Sequence, residues 1–189
     1  MALLTVRPTR LDESIARGVA AHTDRTVERV AGAATWGADE HVLLGLAAIG
    51  WLLTRTAPRA KRRLGNHFLL CSLSTALLPH IMKRFINQER PDRLTIEGHL
   101  RGIPLSGKSE DAFPSGHALH VGALASAATL LPLGYRNTIW AAGTGLVLTR
   151  IILLAHWASD VGAGLVMGAL IERLLRPLTG VGQKGEAMR

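Results

Sequence analysis

Phe113-Pro114-Ser115-Gly116-His117 closes a polar, charged stretch and opens an apolar run from Ala118 to Leu133. Proline, serine and glycine at such a junction mark a helix start, with Ser115 in the N-cap position. A helix N-terminus presents unpaired N–H groups and a positive dipole end, so it can hold an anion. His117, one turn in, adds a side chain that exchanges a proton near neutral pH. Read alone, the pentapeptide is equally an ordinary capped helix. Two other stretches agree with the first reading.

Outward from this junction the apolar residues fall in long runs rather than narrow stripes, the pattern of a polytopic membrane protein. The run opened by the pentapeptide gives a span over Ser115–Leu133, followed by a tight turn at Pro132-Leu133-Gly134. Two more follow, Asn137–Ile152 and His156–Leu175, the last ended by Arg173, Arg176 and Pro177. Upstream lie Leu64–Met82 and the shorter Glu40–Thr54, with the basic loop Arg55–Arg63 between them. The polar segment from Lys83 to Asp111 is an extramembrane loop broken by Gly98, Gly102, Pro104 and Gly107. Residues 1–10 form a loose tail. From Leu11 to Ala34, apolar positions recur every three or four residues among many charges, which predicts one amphipathic helix, too charged to span, lying at the interface or packed on the bundle. The expected fold is all-α: a polytopic transmembrane helical bundle of about five spans plus an N-terminal amphipathic interfacial helix. It divides into a tail and amphipathic helix over 1–38, a transmembrane domain over 39–177 and a flexible C-terminal tail over 178–189.

Composition narrows the partners. The net charge of +8 would suit nucleic acid, but only 4% of the 189 residues are aromatic, too few for base-stacking platforms. In a membrane protein the excess anchors loops on anionic lipid or binds a phosphorylated ligand. The lone Cys71 excludes an intrachain disulfide and a multi-cysteine metal site. Residues 1–30 carry charges throughout and contain no cleavable signal.

Ionisable residues at membrane depth are costly and usually functional. Lys83 and Arg90 stand as K-x6-R-P with Pro91, although a snorkelling lysine and a loop arginine would look the same. Arg150 lies late in an apolar helix with no acid near it in sequence, so it reaches a polar cavity. His156 and Asp160 are four apart; on a helix they share a face, where the carboxylate accepts the imidazole N–H. A buried His–Asp pair with a purely structural role has the same spacing. Arg150 and His156 do not converge on one straight helix, since six residues turn about 240°. A break within Ile152–His156 is therefore predicted.

Together the three stretches resemble the signature of the type 2 phosphatidic acid phosphatase superfamily, which also contains the vanadium haloperoxidases: K-x6-R-P, then P-S-G-H, then S-R-x5-H-x3-D. Lys83–Pro91, Pro114–His117 and Arg150–Asp160 match in order and spacing, with Thr149 in place of the family's serine. The resemblance implies a metal-independent lipid phosphatase without cofactor. His156 is then the nucleophile that forms a phosphohistidine, Asp160 orients it, and His117 is the general acid and base. Lys83, Arg90, Ser115, Gly116 and Arg150 bind the phosphate. His67, His80, His99 and His120 match no motif position and are read as structural or interfacial, with His120 one turn beyond His117 at the cavity entrance.

The implied partners are a phosphorylated lipid substrate and the surrounding membrane lipids. Phosphatidate, phosphatidylglycerol phosphate and polyprenyl phosphates or diphosphates all remain open, as does the oligomeric state. The distribution of Lys and Arg between the loops places the site on the extracytoplasmic face of a bacterial-type plasma membrane. A non-catalytic lipid-phosphate binding protein and a vanadate-dependent haloperoxidase are the alternatives.

Overall fold

Asp24 interrupts the first amphipathic stretch, and this is where the computed structural model, which describes residues 3–91 and 110–182, first departs from expectation. Its carboxylate accepts the backbone N–H groups of Thr26 and Val27, both at 2.8 Å, and so starts a new helix. One expected helix is therefore two, α1 (Arg10–His22) and α2 (Arg25–Ala34), followed by a 3₁₀ turn at Thr35–Ala38. The N-terminal tail is tied down as well. Leu4–Thr5 (β1) pairs in parallel with Ile86–Asn87 (β2), a long-range pairing that leaves no periodic trace in so short a segment.

Five further helices follow near the five predicted positions. They are α3 (Glu40–Leu53), α4 (Arg59–Met82), α5 (Gly116–Ala127), α6 (Leu133–Ile152) and α7 (Ala158–Thr179). Their ends correct several expectations. Pro132 opens α6 rather than making the turn alone, because proline's fixed φ suits a helix start. Pro177 lies inside α7, which runs past the expected boundary at 177 and stops at Gly180, whose φ of 68° a glycine adopts without strain. The predicted break is present: α6 ends at Ile152, Leu154 has a left-handed φ of 52°, and His156 lies in the connection rather than in a helix. Most of the polar loop, including His99, and the last seven residues of the C-terminal tail lie outside the described residues.

The described residues are all-α apart from the two-residue strand pair and an isolated bridge between Gln88 and Asp111. Among the described residues, no helix is long and apolar enough to cross a membrane. The reasons are local. α3 has 14 residues and α5 has 12, about 21 and 18 Å against a hydrocarbon core of about 30 Å. α4 begins with Arg59, Lys61, Arg62 and Arg63, α6 carries Arg136 and Arg150, and α7 carries Asp160, Glu172, Arg173 and Arg176.

Helices α5 and α7 make the most extensive contact in the molecule, and glycine permits it. A Cβ at Gly122 would collide with the Leu165 carbonyl, and one at Gly168 with the Leu119 carbonyl. One at Gly164 would lie 2.8 Å from Ala118 Cβ and the Ser115 carbonyl. The small residues of this face therefore bring two backbones together. Toward the end of α7, the fully buried Glu172 accepts hydrogen bonds from Arg176 Nε (2.7 Å) and Ser126 Oγ (2.6 Å) and meets His67 Nε2 at 3.0 Å. A buried carboxylate is tolerated because all of these partners surround it.

The third tie is Asp12. Its carboxylate completes a capping box with Thr9 and also takes the backbone N–H and hydroxyl of Ser159, each at 2.9 Å, at the start of α7. Burial opposes ionisation, but these hydrogen bonds outweigh it and hold the Asp12 carboxyl below the usual aspartate range. Around it Ala16, Val19 and Ala20 of α1 cover Ala112, Leu154 and Trp157.

Gly168→Ala should cost about 1–3 kcal/mol of stability through overpacking. Gly162→Ala, on the same helix with nothing within 4 Å, should be neutral or stabilise by up to about 1 kcal/mol. Thermal unfolding of the two variants checks the contrast. Asp12→Ala should lose about 1.5–3 kcal/mol near neutral pH. Because the folded carboxyl is the stronger acid, that difference is present above the unfolded pKa of about 4 and closes as pH falls through the lower folded value, which unfolding across pH measures.

Candidate active site

The ends of several elements deliver charged or polar side chains to a common cavity of about 180 Å³. Its lining includes Lys83, Arg90, Gly116, His117, Arg150 and His156 from the expected set, together with Asp39, Glu40, Pro79 and His80. Lys83 caps the C-terminus of α4, where a cation suits the dipole. Arg90 follows the β2 strand. The chain then returns to Gln88, whose N–H donates to the Glu110 carbonyl at 3.0 Å, while Ala112 N–H donates to the Gln88 carbonyl at 3.0 Å. That closure places Asp111 against both cations. It accepts from Arg90 Nε at 2.9 Å and pairs with Arg90 Nη2 at 2.8 Å and Lys83 Nζ at 3.7 Å.

Arg150 is differently held. It is 2% exposed, Nη1 donates to Thr35 Oγ1 at 3.0 Å, and Nε has no partner among the described residues. No carboxylate among those residues comes within ion-pair distance. A buried, always-charged guanidinium with an unused donor at the wall of a cavity is a socket for an anion.

His156 is fixed by a different group from the one expected. Nδ1 donates to the Ala112 carbonyl at 2.7 Å, while Asp160 Oδ2 lies 3.9 Å away, beyond hydrogen-bond reach. The Asp160 carboxylate instead accepts Trp157 N–H at 2.9 Å and caps α7. The i, i+4 argument required both residues on one helix, and the helix starts only at Ala158. With Nδ1 committed as donor, Nε2 is the lone-pair nitrogen on the ring at the cavity wall. Burial, then the nearby Arg150, Arg90 and Lys83, hold the His156 pKa well below the usual imidazole range, which favours the neutral ring. Burial likewise draws Lys83 below the usual lysine range, with Asp111 pulling the other way.

Three expected contributors stand apart from the cavity. Ser115 is fully buried, its Oγ accepting Ala118 N–H at 3.4 Å as the α5 cap. It positions Gly116, which does line the cavity. Thr149 Oγ1 donates back to the Leu146 carbonyl at 2.6 Å. His120 is buried with Nδ1 on the Gly116 carbonyl at 3.1 Å, away from the entrance. His80, by contrast, belongs to the cavity, where Nε2 meets Glu40 Oε1 at 3.1 Å. Thr35, Asp39, Glu40, Asp111 and Ala112 were missed. Asp39-Glu40 before an apolar run looks like a helix cap, which it also is, and a backbone carbonyl such as that of Ala112 leaves no mark in the residue alphabet.

Comparison with known proteins identifies relatives and a shared fold. A family model described as the PAP2 superfamily matches residues 64–180. The chain is 37% identical over 127 residues to a lipid A 1-phosphatase of Rhizobium johnstonii, covering 64% of this chain and 52% of that one. It is 28% identical over 152 residues to a decaprenylphosphoryl-5-phosphoribose phosphatase of Mycobacterium tuberculosis, covering 74% and 77%. The chain thus spans about half the length of the lipid A phosphatases it matches. Two solved structures share the fold. They are Aquifex aeolicus LpxE (TM-score 0.68, 18% identity, covering 90% of this chain and 97% of that one) and a transmembrane PAP2-type phosphatidylglycerolphosphate phosphatase from Bacillus subtilis (0.67, 20%, 95% and 88%).

Thr35→Val removes the hydroxyl that holds Arg150 while keeping side-chain shape. It should weaken inorganic phosphate binding about 3- to 10-fold, the worth of one hydrogen bond. Arg150→Ala should weaken it more than about tenfold. Calorimetric titration of each variant checks both.

Proposed function

The chain belongs to the PAP2 superfamily, and on that premise we propose that it is an integral-membrane phosphatase that hydrolyses a phosphate ester carried on a lipid. The observation that carries this reading is the buried Arg150, whose Nε has no partner among the described residues, in one cavity with His156 and a second histidine, His117. The names of the relatives, which act on phosphates of lipid A and of a decaprenyl-linked ribose, support a lipid-borne substrate. Membrane integration is supported by the large apolar side chains that face outward on four helices. Among them are Leu46, Ile49 and Leu53 of α3, Leu73 and Leu77 of α4, Leu148 of α6, and Leu170 and Leu174 of α7. The loop-charge distribution favours an extracytoplasmic site.

In the proposed mechanism Arg150, Arg90 and Lys83 receive the phosphoryl oxygens, with the Gly116 N–H at the start of α5 completing the cradle. Arg90 and Lys83 trade part of their hold on Asp111 for the substrate. His156 Nε2 attacks phosphorus, the P–O bond to the lipid breaks, and His117 delivers a proton to the leaving alkoxide. His117 then takes a proton from water as its oxygen attacks phosphorus and the P–N bond breaks, which releases phosphate and restores both histidines. The Ala112 carbonyl keeps the ring aimed throughout, and the Asp160 carboxylate 3.9 Å away favours the positive charge that develops on it. The fixed cations stabilise charge on the equatorial oxygens at the transition state.

Purified protein in detergent with EDTA should release phosphate from at least one of phosphatidate, phosphatidylglycerol phosphate or polyprenyl mono- and diphosphate. His156→Ala should reduce that release at least about 10³-fold, and His117→Ala by about 10²- to 10⁴-fold, with unfolding temperatures preserved. A His156→Ala variant of near-normal rate removes the nucleophile and with it the mechanism. Tight lipid binding with no release from the wild type would replace the enzyme by a binding protein.

A further inference from the structure

The cationic cradle occupies only part of the cavity. Asp39 and Glu40, at the start of α3, line the same space as Lys83, Arg90 and Arg150, with His80 beside them. Neither acid makes a direct contact with the cations among the described residues: Asp111 pairs with Arg90 and Lys83, Thr35 bonds Arg150, and Asp39 and Glu40 act on Arg150 and Lys83 only through space. Each is also held in place. Asp39 Oδ1 accepts the N–H groups of His41 (2.9 Å) and Val42 (3.4 Å) and meets His41 Nδ1 at 3.3 Å, and Glu40 Oε1 meets His80 Nε2 at 3.1 Å. Asp39 Oδ2 and Glu40 Oε2 have no hydrogen-bond partner among the described residues. Independently, the unused Nε of the buried Arg150 marks the cavity as built for a ligand. Its 180 Å³ corresponds to about six water volumes, room for a phosphoryl group and a few atoms of the group that bears it.

We propose that Asp39 and Glu40 form a specificity rim that accepts hydrogen bonds from hydroxyls of the substrate headgroup, so that the preferred substrate is a phosphomonoester on a sugar or polyol lipid. This deepens the phosphatase reading and rests on it. The chemistry excludes the competitors. A second phosphate, as in a polyprenyl diphosphate, would face two carboxylates at close range and be repelled. A headgroup ammonium would be drawn to the rim but face three cations across the same small cavity. A phosphatidate offers no donor and leaves both acceptors desolvated without a partner. A neutral hydroxyl satisfies the acceptors and meets no opposing charge. Sites that present a polar group for a substrate hydroxyl discriminate strongly against analogues that lack it.

The test uses the full chain in detergent with four substrates of matched chain length: phosphatidylglycerol phosphate, a lipid-linked sugar monophosphate, phosphatidate and a polyprenyl diphosphate. The wild type should show kcat/KM at least about tenfold higher for the two hydroxyl-bearing monoesters. Asp39→Asn keeps a competent helix cap, and Glu40→Gln keeps side-chain length. Each should shrink the ratio of hydroxyl-bearing monoester to phosphatidate about tenfold and shift the ratio of diphosphate to phosphatidate upward. Ratios that do not move, or a wild type indifferent among the four, overturn the rim while leaving the phosphatase intact. Release from none of the four overturns the phosphatase reading itself.

Discussion

Like charges held close together are the constraint on which the rest of this molecule depends. Lys83, Arg90 and Arg150 share the lining of one small cavity, and only Asp111 forms ion pairs with any of them among the described residues. Such a cluster persists only where surrounding structure is rigid enough to bear the repulsion. The glycine-mediated contact of α5 with α7, the carbonyl closure at Gln88 and Ala112, and the Asp12 tie to Ser159 each anchor one wall. Burial disfavours a proton on the His156 imidazole first, and the field of the same cations adds to it.

The arrangement separates two tasks that could have fallen to one residue. Position comes from neutral groups: the Ala112 carbonyl for His156, Thr35 for Arg150, and Ser115 for the start of α5. Charge comes from the cations, while Asp160 caps a helix and lies near the imidazole without bonding it. A ring held by an uncharged carbonyl keeps its orientation whatever the protonation of nearby carboxylates.

The parts legible in the sequence were those written in side-chain identity and spacing. The three motifs announced Lys83, Arg90, His117, Arg150 and His156, and all line the cavity. Apolar runs located α3 to α7, and the geometric conflict between Arg150 and His156 located a break within Ile152–His156, which the structure centres on Leu154. Illegible were features that depend on backbone atoms or distant pairing, such as Ala112, the β1–β2 pair and the contact of Asp12 with Ser159. Asp39 and Glu40 were hidden differently. Their capping role accounts for their presence in the sequence so well that a second role leaves no residue-level signal.

The bond between Asp12 and Ser159 joins residues 147 positions apart, so α1 leaves the ribosome long before the start of α7 that it ties down. Arg150 is likewise made long after its anchor Thr35, and His156 long after the Ala112 carbonyl that aims it. Chains interrupted between Arg150 and His156 therefore hold the buried arginines without the imidazole that completes the cavity lining. On the proposed mechanism biosynthesis then orders the hazards: a nascent chain can attract anionic headgroups before the residue that would cleave them has been made.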